Sequence, residues 1–183
     1  MARVPYPTRD QVPPEGHAAF DEIEGSRGGV RGPFAAMMHA PELARRTANL
    51  GSFVRFEASL GHDERELAVL ATSAAIDGEY EVVAHSKLAG HFGVRPAAVE
   101  IVCRNDGLDG LTEGEAVVVR FARELIRTNR VSDATFEAAR GLVGELGVVE
   151  LAATVGYYAL LGYFMNALEV MPPDDPNWPP LPK

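Results

Sequence analysis

Two side chains four positions apart, Glu81 and His85, have the clearest capacity for chemistry in this sequence. Positions i and i+4 of a helix lie on one face, so a carboxylate there can pair with the imidazole and raise its pKa. A hairpin around Gly78 would bring Glu66 to the same face, where it can orient the ring through its second nitrogen. A histidine between two carboxylates, with Tyr80 nearby as a hydrogen-bond donor, is suited to moving protons on a small organic acid or carbonyl compound.

The same residues also have plainer interpretations. A Glu/His pair at i, i+4 is often a surface ion pair worth about 0.5 kcal/mol. Glu66 follows Asp63 by three positions, so the two can form a carboxylate version of the capping box at a helix start, and Tyr80 can be a core residue. A metal site is a third interpretation, since Glu66, Glu81 and His85 offer mixed oxygen and nitrogen ligands. Their spacing matches neither His-Glu-x-x-His nor the Glu-x-x-His of di-iron bundles, so a metal site is the minor alternative and none is predicted.

The segment from Glu66 to His85 resembles the core motif of the carboxymuconolactone decarboxylase/alkylhydroperoxidase D superfamily. In that motif a glutamate on one helix precedes a Cys-x-x-Cys-x-x-x-His run on the next. Glu66 falls at the position of the glutamate and His85 at that of the histidine, while Gly78 and Glu81 occupy the two cysteine positions. The resemblance covers most of residues 30–170. It implies an all-α, AhpD-like helical bundle that assembles as a homo-oligomer, a trimer or a hexamer.

The Glu-x-x-x-His spacing resembles the decarboxylase branch, whose members carry a histidine where this chain has Tyr80. The resemblance implies a lyase without cofactor: proton transfer with decarboxylation, or isomerisation or rearrangement, of a small lactone or keto acid. It implies three catalytic residues, with His85 as general acid/base, Glu81 as its charge partner or second base, and Glu66 as the group that orients the imidazole. Tyr80 and Lys87 are the expected substrate-binding residues, and Lys87 or Arg31 would supply a cation for a carboxylate. Tyr80 weighs against 4-carboxymuconolactone itself as the substrate.

Two other functions stay open at this point. One is a helical oligomer that binds or carries a small acid without transforming it, and the other is the thiol peroxidase activity of the Cys-x-x-Cys relatives. Cys103 is the single cysteine of the chain, so neither an intramolecular disulfide nor a dithiol redox cycle can form within one chain.

Apolar residues recur with helical periodicity between residues 15 and 171, and no run alternates as a half-buried strand does, which predicts an all-α fold. Helices are predicted over 41–60, 63–77, 79–92 and 96–102, with further helices capped by Thr112 and Ser132. The inner face of the first is expected to consist of Leu43, Leu50, Phe53, Val54 and Leu60. The segment 148–170 is apolar nearly all round, which predicts a helix buried partly by another subunit.

Composition limits the number of domains, the partners and the cellular location that can be expected. The 183 residues, 46% hydrophobic and 23% charged, predict one domain over 15–171 with proline-rich arms at 1–14 and 172–183. A net charge of −9 without a basic stripe makes nucleic acid a poor partner. The N-terminus has no apolar core of a signal peptide and no apolar run reaches the length of a membrane span, so the expected location is the cytoplasm. Trp178 is expected to pack against its own or a neighbouring subunit.

Overall fold

The computed structural model describes residues 2–175 and 178–179, and over these residues it is helical without a strand. The helices are α1 (His17–Arg27), α2 (Pro33–Met37), α3 (Pro41–Ser52), α4 (His62–Ala75), α5 (Glu79–His91), α6 (Pro96–Cys103), α7 (Glu113–Thr128) and α8 (Asp133–Leu168). Single 3₁₀ turns at Arg9–Gln11 and Pro14–Gly16 precede α1. The all-α prediction is confirmed.

Helix α4 lies at the centre of the molecule and packs against α5, α6, α7 and α8. Ten consecutive residues of α4, from Arg65 to Ala74, are buried. One apolar cluster lies between α4, α7 and the first half of α8, and a second lies between α1, α2, α3 and the end of α8. A polar side chain in a helix enclosed in this way is costly unless it has a partner.

Several predicted helix ends agree with the structure because local chemistry determines them. Thr112 and Glu115 form a reciprocal capping box at the start of α7. The Ser132 hydroxyl accepts a hydrogen bond from the Thr135 amide at the start of α8. Helix α5 ends before Gly93, whose φ of +90° lies in the left-handed region that favours glycine.

Other local predictions were wrong. The predicted helix 41–60 is α-helical only to Ser52 and then widens into a π turn over Phe53–Glu57. Its inner face is lined by the small residues Ala44, Ala48 and Gly51, so that α1 can approach closely. Val54 and Leu60 are buried as predicted, whereas the remaining three residues of the predicted stripe are 40–50% exposed: Leu43, Leu50 and Phe53.

The start of α4 also differs from the prediction. Gly61 occupies the N-cap position and no side chain caps the helix, so Asp63 is not the cap. Glu66 is therefore free of the capping role that its spacing suggested. It lies in the second turn of α4, is 1% exposed, and pairs with another helix instead.

Helix α8 has two segments that meet at Gly144, where φ is +73° and ψ is 178°. By length and composition alone this helix could cross a membrane, with a mean hydropathy of 1.4 over its most apolar stretch, but 61% of that stretch is buried in the fold. Core helices of soluble proteins satisfy the same criteria, so this is weak evidence for a membrane span. Several large apolar side chains of α8 remain exposed: Leu146, Val149, Leu160 and Tyr163.

Candidate active site

The hairpin formed by α4 and α5 positions the three candidate catalytic residues. The chain turns at Asp77, which adopts a left-handed φ of +53°, and the Gly78 amide donates to the Ser73 carbonyl at 2.8 Å. This turn lays α5 antiparallel to α4 and brings their facing sides into contact. Glu66 on α4 therefore meets His85 on α5.

His85 lies between two carboxylates. Its Nδ1 is 2.6 Å from Oε2 of Glu66, and its Nε2 is 3.2 Å from Oε2 of Glu81. The exposed fractions are only 1% for Glu66, 5% for Glu81 and 4% for His85. This is a buried chain of charge-assisted contacts rather than the surface ion pair that the i, i+4 spacing also allowed.

Arg65 continues the chain on the far side of Glu66. Its Nη2 lies 3.3 Å from Oε1 of Glu66, and its Nη1 donates to the Arg55 carbonyl at 2.7 Å. The Arg65 guanidinium also lies over the ring of Phe92, 5.3 Å from the centroid, and the residue is 4% exposed. Arg65 and His85 thus place a cationic group on each side of the Glu66 carboxylate.

These contacts shift the acidities of the central pair. Burial alone would lower the pKa of His85, but the carboxylates of Glu66 and Glu81 outweigh it and raise the pKa to about 9. Burial alone would raise the pKa of Glu66, but His85, Arg65 and Arg55 outweigh it and lower the pKa. His85 is therefore an imidazolium at neutral pH, with each ring N–H directed at a carboxylate.

The chain opens into a cavity of about 240 Å³ in which Glu81 and His85 form part of the wall. The aromatic side chains of the wall come from α2, α5, α8 and the C-terminal tail: Phe34, Tyr80, Tyr157, Tyr158 and Trp178. Three arginines also line it: Arg27, Arg31 and Arg55. None of the three forms a salt bridge with a carboxylate of the described residues. The cavity wall thus combines the Glu81–His85 pair with arginines that form no salt bridge within the described part of the chain.

The two predicted substrate-binding residues lie in different places. Tyr80 lines the cavity, its ring is edge-on to Trp178 at 4.9 Å, and burial raises the pKa of its phenol. Its hydroxyl packs against Gly32 so closely that a Cβ there would stand 2.2 Å away. Lys87 is not part of the described cavity wall, and its ammonium donates to the Trp178 carbonyl. The structure gives Arg31, not Lys87, a place in the wall.

Four further residues of the cavity wall were missed by sequence reasoning: Arg27, Arg55, Tyr157 and Tyr158. The ring of Tyr158 is edge-on to His85, with centroids 5.0 Å apart, and Tyr157 is edge-on to Tyr158 at 5.2 Å. The tyrosine pair in an otherwise apolar helix was the available signal, because buried tyrosines place their hydroxyls at polar sites. The two arginines carried no comparable signal.

Metal ligands do not converge in the described part of the chain. No group of three or more histidine, cysteine, aspartate or glutamate side chains there has an arrangement that could hold a metal ion. Glu66, Glu81 and His85 contact one another directly, so their donor atoms are directed at each other rather than at a common point.

Comparison with known proteins agrees with this architecture. The profile of the carboxymuconolactone decarboxylase family matches residues 41–124, which include the whole α4–α5 hairpin. A crystal structure of an alkylhydroperoxidase AhpD core protein, an uncharacterized peroxidase-related protein from Ralstonia eutropha JMP134, is 25% identical. The similarity spans 94% of this chain and 93% of that one, with a TM-score of 0.79.

The chain is thus similar to the carboxymuconolactone decarboxylase family over residues 41–124 and to an AhpD-like protein over most of its length. Two other members of the fold are more distant in sequence. A peroxidase-related protein from Silicibacter sp. TM1040 is 20% identical over 94% of this chain and 92% of its own, with a TM-score of 0.78. The debrominase Bmp8, in complex with 2,3,4-tribromopyrrole, is 18% identical over 93% and 91%, with a TM-score of 0.74. No curated protein matches the sequence significantly.

Proposed function

We propose that this protein is a member of the carboxymuconolactone decarboxylase/AhpD-like superfamily and a cofactor-independent enzyme. It would transfer a proton to or from a small organic acid, with decarboxylation or with isomerisation or rearrangement of a lactone or keto acid. The observation that carries the proposal is the buried Glu66–His85–Glu81 chain in contact with a cavity. A buried imidazolium between two carboxylates is a poor element of stability alone, since well-packed apolar residues often do as well. Groups of strongly perturbed acidity in a cavity are typical of active sites.

The geometry supports a specific division of roles. Glu66 lies behind His85 and accepts its Nδ1–H, and Arg65 donates to the other oxygen of Glu66, so the ring keeps one orientation. The Nε2–H faces Glu81 at the cavity wall, where a substrate atom can share it. In a decarboxylation, the C–C bond to the carboxylate breaks, CO2 leaves, and the electron pair remains as an enolate. His85 then protonates that carbon and recovers a proton from solvent.

An isomerisation would use the same groups in another order. Glu81 removes a proton from the carbon next to a carbonyl and becomes neutral, and the His85 imidazolium stabilises the negative charge of the resulting enolate. The proton then returns to a different carbon of the enolate, so no net charge or mass is gained. The positively charged wall would stabilise the enolate oxygen in either reaction.

The glutamine variant of Glu81 tests this proposal. A panel of small lactones and keto acids bearing a carboxylate is incubated in D2O, and deuterium incorporation and CO2 release are followed by NMR. Wild-type protein is expected to turn over at least one class. Glu81→Gln keeps the shape but removes a charge that raises the pKa of His85, so it should lower both the rate and the apparent pKa of the rate profile.

Glu79→Gln is the matched control, because Glu79 lies on the first turn of the same helix and is exposed. It should leave the rate and its pH profile unchanged. Absence of exchange and of CO2 release across the panel, with the same ligands bound, would favour the binding protein over the enzyme. The cavity beside His85 and the pairing of Glu81 with the imidazole favour the enzyme.

Thiol peroxidase chemistry has less support despite the peroxidase-related relatives. Cys103, the single cysteine, lies at the end of α6, packs against the core, and is not part of the described wall of the cavity. Burial raises the pKa of its thiol, which reduces the fraction of reactive thiolate.

The debrominase among the fold relatives binds a small ring, which is consistent with a ring-sized ligand here.

We further propose that the protein is a cytoplasmic homo-oligomer, a trimer or a hexamer. The exposed apolar side chains on the π turn after α3 and on α8 support association, with Phe56 66% and Val149 68% exposed. Val149→Arg is expected to shift the protein to a smaller species in light scattering at micromolar concentration, because a buried unpaired charge disfavours an interface. Val149→Ile, the control, should keep the wild-type mass. A monomeric wild type would contradict the proposal.

A further inference from the structure

We propose that Arg27 is the carboxylate-binding residue of this cavity, and that the ligand is a small planar acid anchored there with its reacting carbon beside His85 and Glu81. The assignment of the reacting end rests on the proposed function. The anchoring itself rests on the surroundings of Arg27.

Arg27 is a partly buried cation that has no carboxylate partner among the described residues and lacks one of its hydrogen-bond partners. It is the last residue of α1, and its guanidinium lies over the ring of Phe34, 4.3 Å from the centroid. Its Nη2 donates to the Ala48 carbonyl at 2.8 Å, while its Nε is buried with no hydrogen-bond partner among the residues described. An under-compensated guanidinium in a cavity wall is costly unless an anion binds beside it.

The surrounding charges increase that need for an anion. Burial lowers the pKa of Arg27, and Arg55 in the same wall lowers it further because the two cations repel each other. Glu81 is the acidic residue of the described wall, and it already pairs with His85. The cavity is therefore net positive within a chain of net charge −9, so it should concentrate small anions.

Tyr157 defines where the anion would lie. Its hydroxyl and the Arg27 guanidinium meet over Gly51, where an added Cβ would stand 2.1 Å from the hydroxyl oxygen and 3.0 Å from Nη2. Glycine at this buried position thus leaves room for both groups. A carboxylate on the cavity side of these two groups can accept hydrogen bonds from a guanidinium and a phenol, a common pairing for carboxylate recognition.

The aromatic wall gives the ligand its direction. Tyr157 and Tyr158 lie between Arg27 and His85, the first edge-on to the second and the second edge-on to the imidazole. A planar ring lying along them with its carboxylate at Arg27 would present its opposite end to His85. A cavity of about 240 Å³ is below the range of roughly 300–1,000 Å³ typical of drug-sized ligands, which favours a small acid.

Benzoate and benzamide are suitable probes, because they share a ring and differ in charge. Calorimetric and NMR titration of the wild type should give tighter binding of benzoate, with nuclear Overhauser contacts from its ring protons to Phe34 and Tyr157. Arg27→Gln should weaken benzoate binding about tenfold or more, and Arg27→Lys by less, since lysine keeps the charge without the planar fork. Arg46→Gln, an exposed substitution on α3, is the control and should bind as the wild type does.

Several results would overturn the assignment. One is equal affinity for benzoate and benzamide, and another is unchanged benzoate affinity in a folded Arg27→Gln variant. The third is that Arg31→Gln, at the exposed edge of the cavity, weakens benzoate binding more than Arg27→Gln does. If Arg27→Gln does not fold, the wild-type contacts decide: contacts confined to residues away from Phe34 and Tyr157 would refute it. Binding is measured without turnover, so failure here leaves the proton-transfer proposal standing, and failure of turnover leaves the carboxylate site standing.

Discussion

His85→Gln should lower the rate of proton transfer by a factor of about 10²–10⁴, the usual contribution of a positioned general acid or base. Glutamine can still donate one hydrogen bond toward a carboxylate, but it cannot exchange a proton at neutral pH. The measurement is kcat/KM for deuterium incorporation into whichever lactone or keto acid of the panel turns over. Unchanged kcat/KM in this variant would remove His85 from the mechanism.

The matched control is His91→Gln, at the end of the same helix, where the side chain is exposed and contacts the ring of Phe92. It should keep the wild-type rate. The double variant Glu66→Gln with His85→Gln should be no slower than His85→Gln alone if Glu66 acts only through the imidazole. A further loss in the double variant would show that Glu66 has a role of its own.

Stability must be measured alongside the rate. From its spacing alone, His85 could be replaced without much change in melting temperature, but the structure places it between two buried carboxylates. Its removal leaves Glu81 without its cationic partner and Glu66 with Arg65 alone. Breaking a buried pair in this way costs about 3–5 kcal/mol. Rates are therefore best compared well below the melting temperature of the variant, where it remains folded.

The second large effect is on the pH dependence of stability. The pKa of His85 is raised from 6.5 to about 9 in the folded state, so the folded protein holds a proton that the unfolded chain releases. This stabilisation is complete below pH 6.5 and is lost as the pH rises through 9. A shift of this size corresponds to about 3 kcal/mol of unfolding free energy, or roughly 6–12 °C in melting temperature for a chain of this length.

Glu66→Gln provides the comparison, because Glu66 makes the larger contribution to the raised pKa of His85. Denaturant unfolding of both proteins between pH 6 and 9.5 isolates this contribution, since other titrating groups are common to both. The wild type should lose stability more steeply than the variant across this window. Parallel curves would mean that Glu66 does not raise the pKa of His85 in the folded state.

Local sequence chemistry determined most of the helices and the pairing of Glu81 with His85. The periodicity of apolar residues and the caps at Thr112 and Ser132 act within a few residues, so they could be interpreted without tertiary contacts. The pairing of Glu81 with His85 is equally local, because four residues span one helical turn. The approach of Glu66 required only the additional assumption of an antiparallel hairpin, which a turn at residues 77–78 makes natural.

Tertiary packing decided which apolar residues face inward. On α3 the large residues Leu43 and Leu50 looked like core positions, yet the fold buries Ala44 and Ala48 because close packing against α1 needs small side chains. Hydrophobicity alone cannot separate a face buried in the chain from a face available to a partner, since both lower their free energy by leaving water.

The cavity was determined only by the tertiary structure. Arg27 ends α1, Tyr158 lies in α8, and Trp178 follows the last helix, so residues from both ends of the chain meet beside His85. No local pattern marks such a set, because its members become neighbours only after α4 is enclosed by the other helices. The sequence alone thus determined that Glu66, His85 and Glu81 lie together, through the geometry of one helix and one hairpin. The positions of the cavity arginines depended on long-range packing, which places charge where no spacing rule applies.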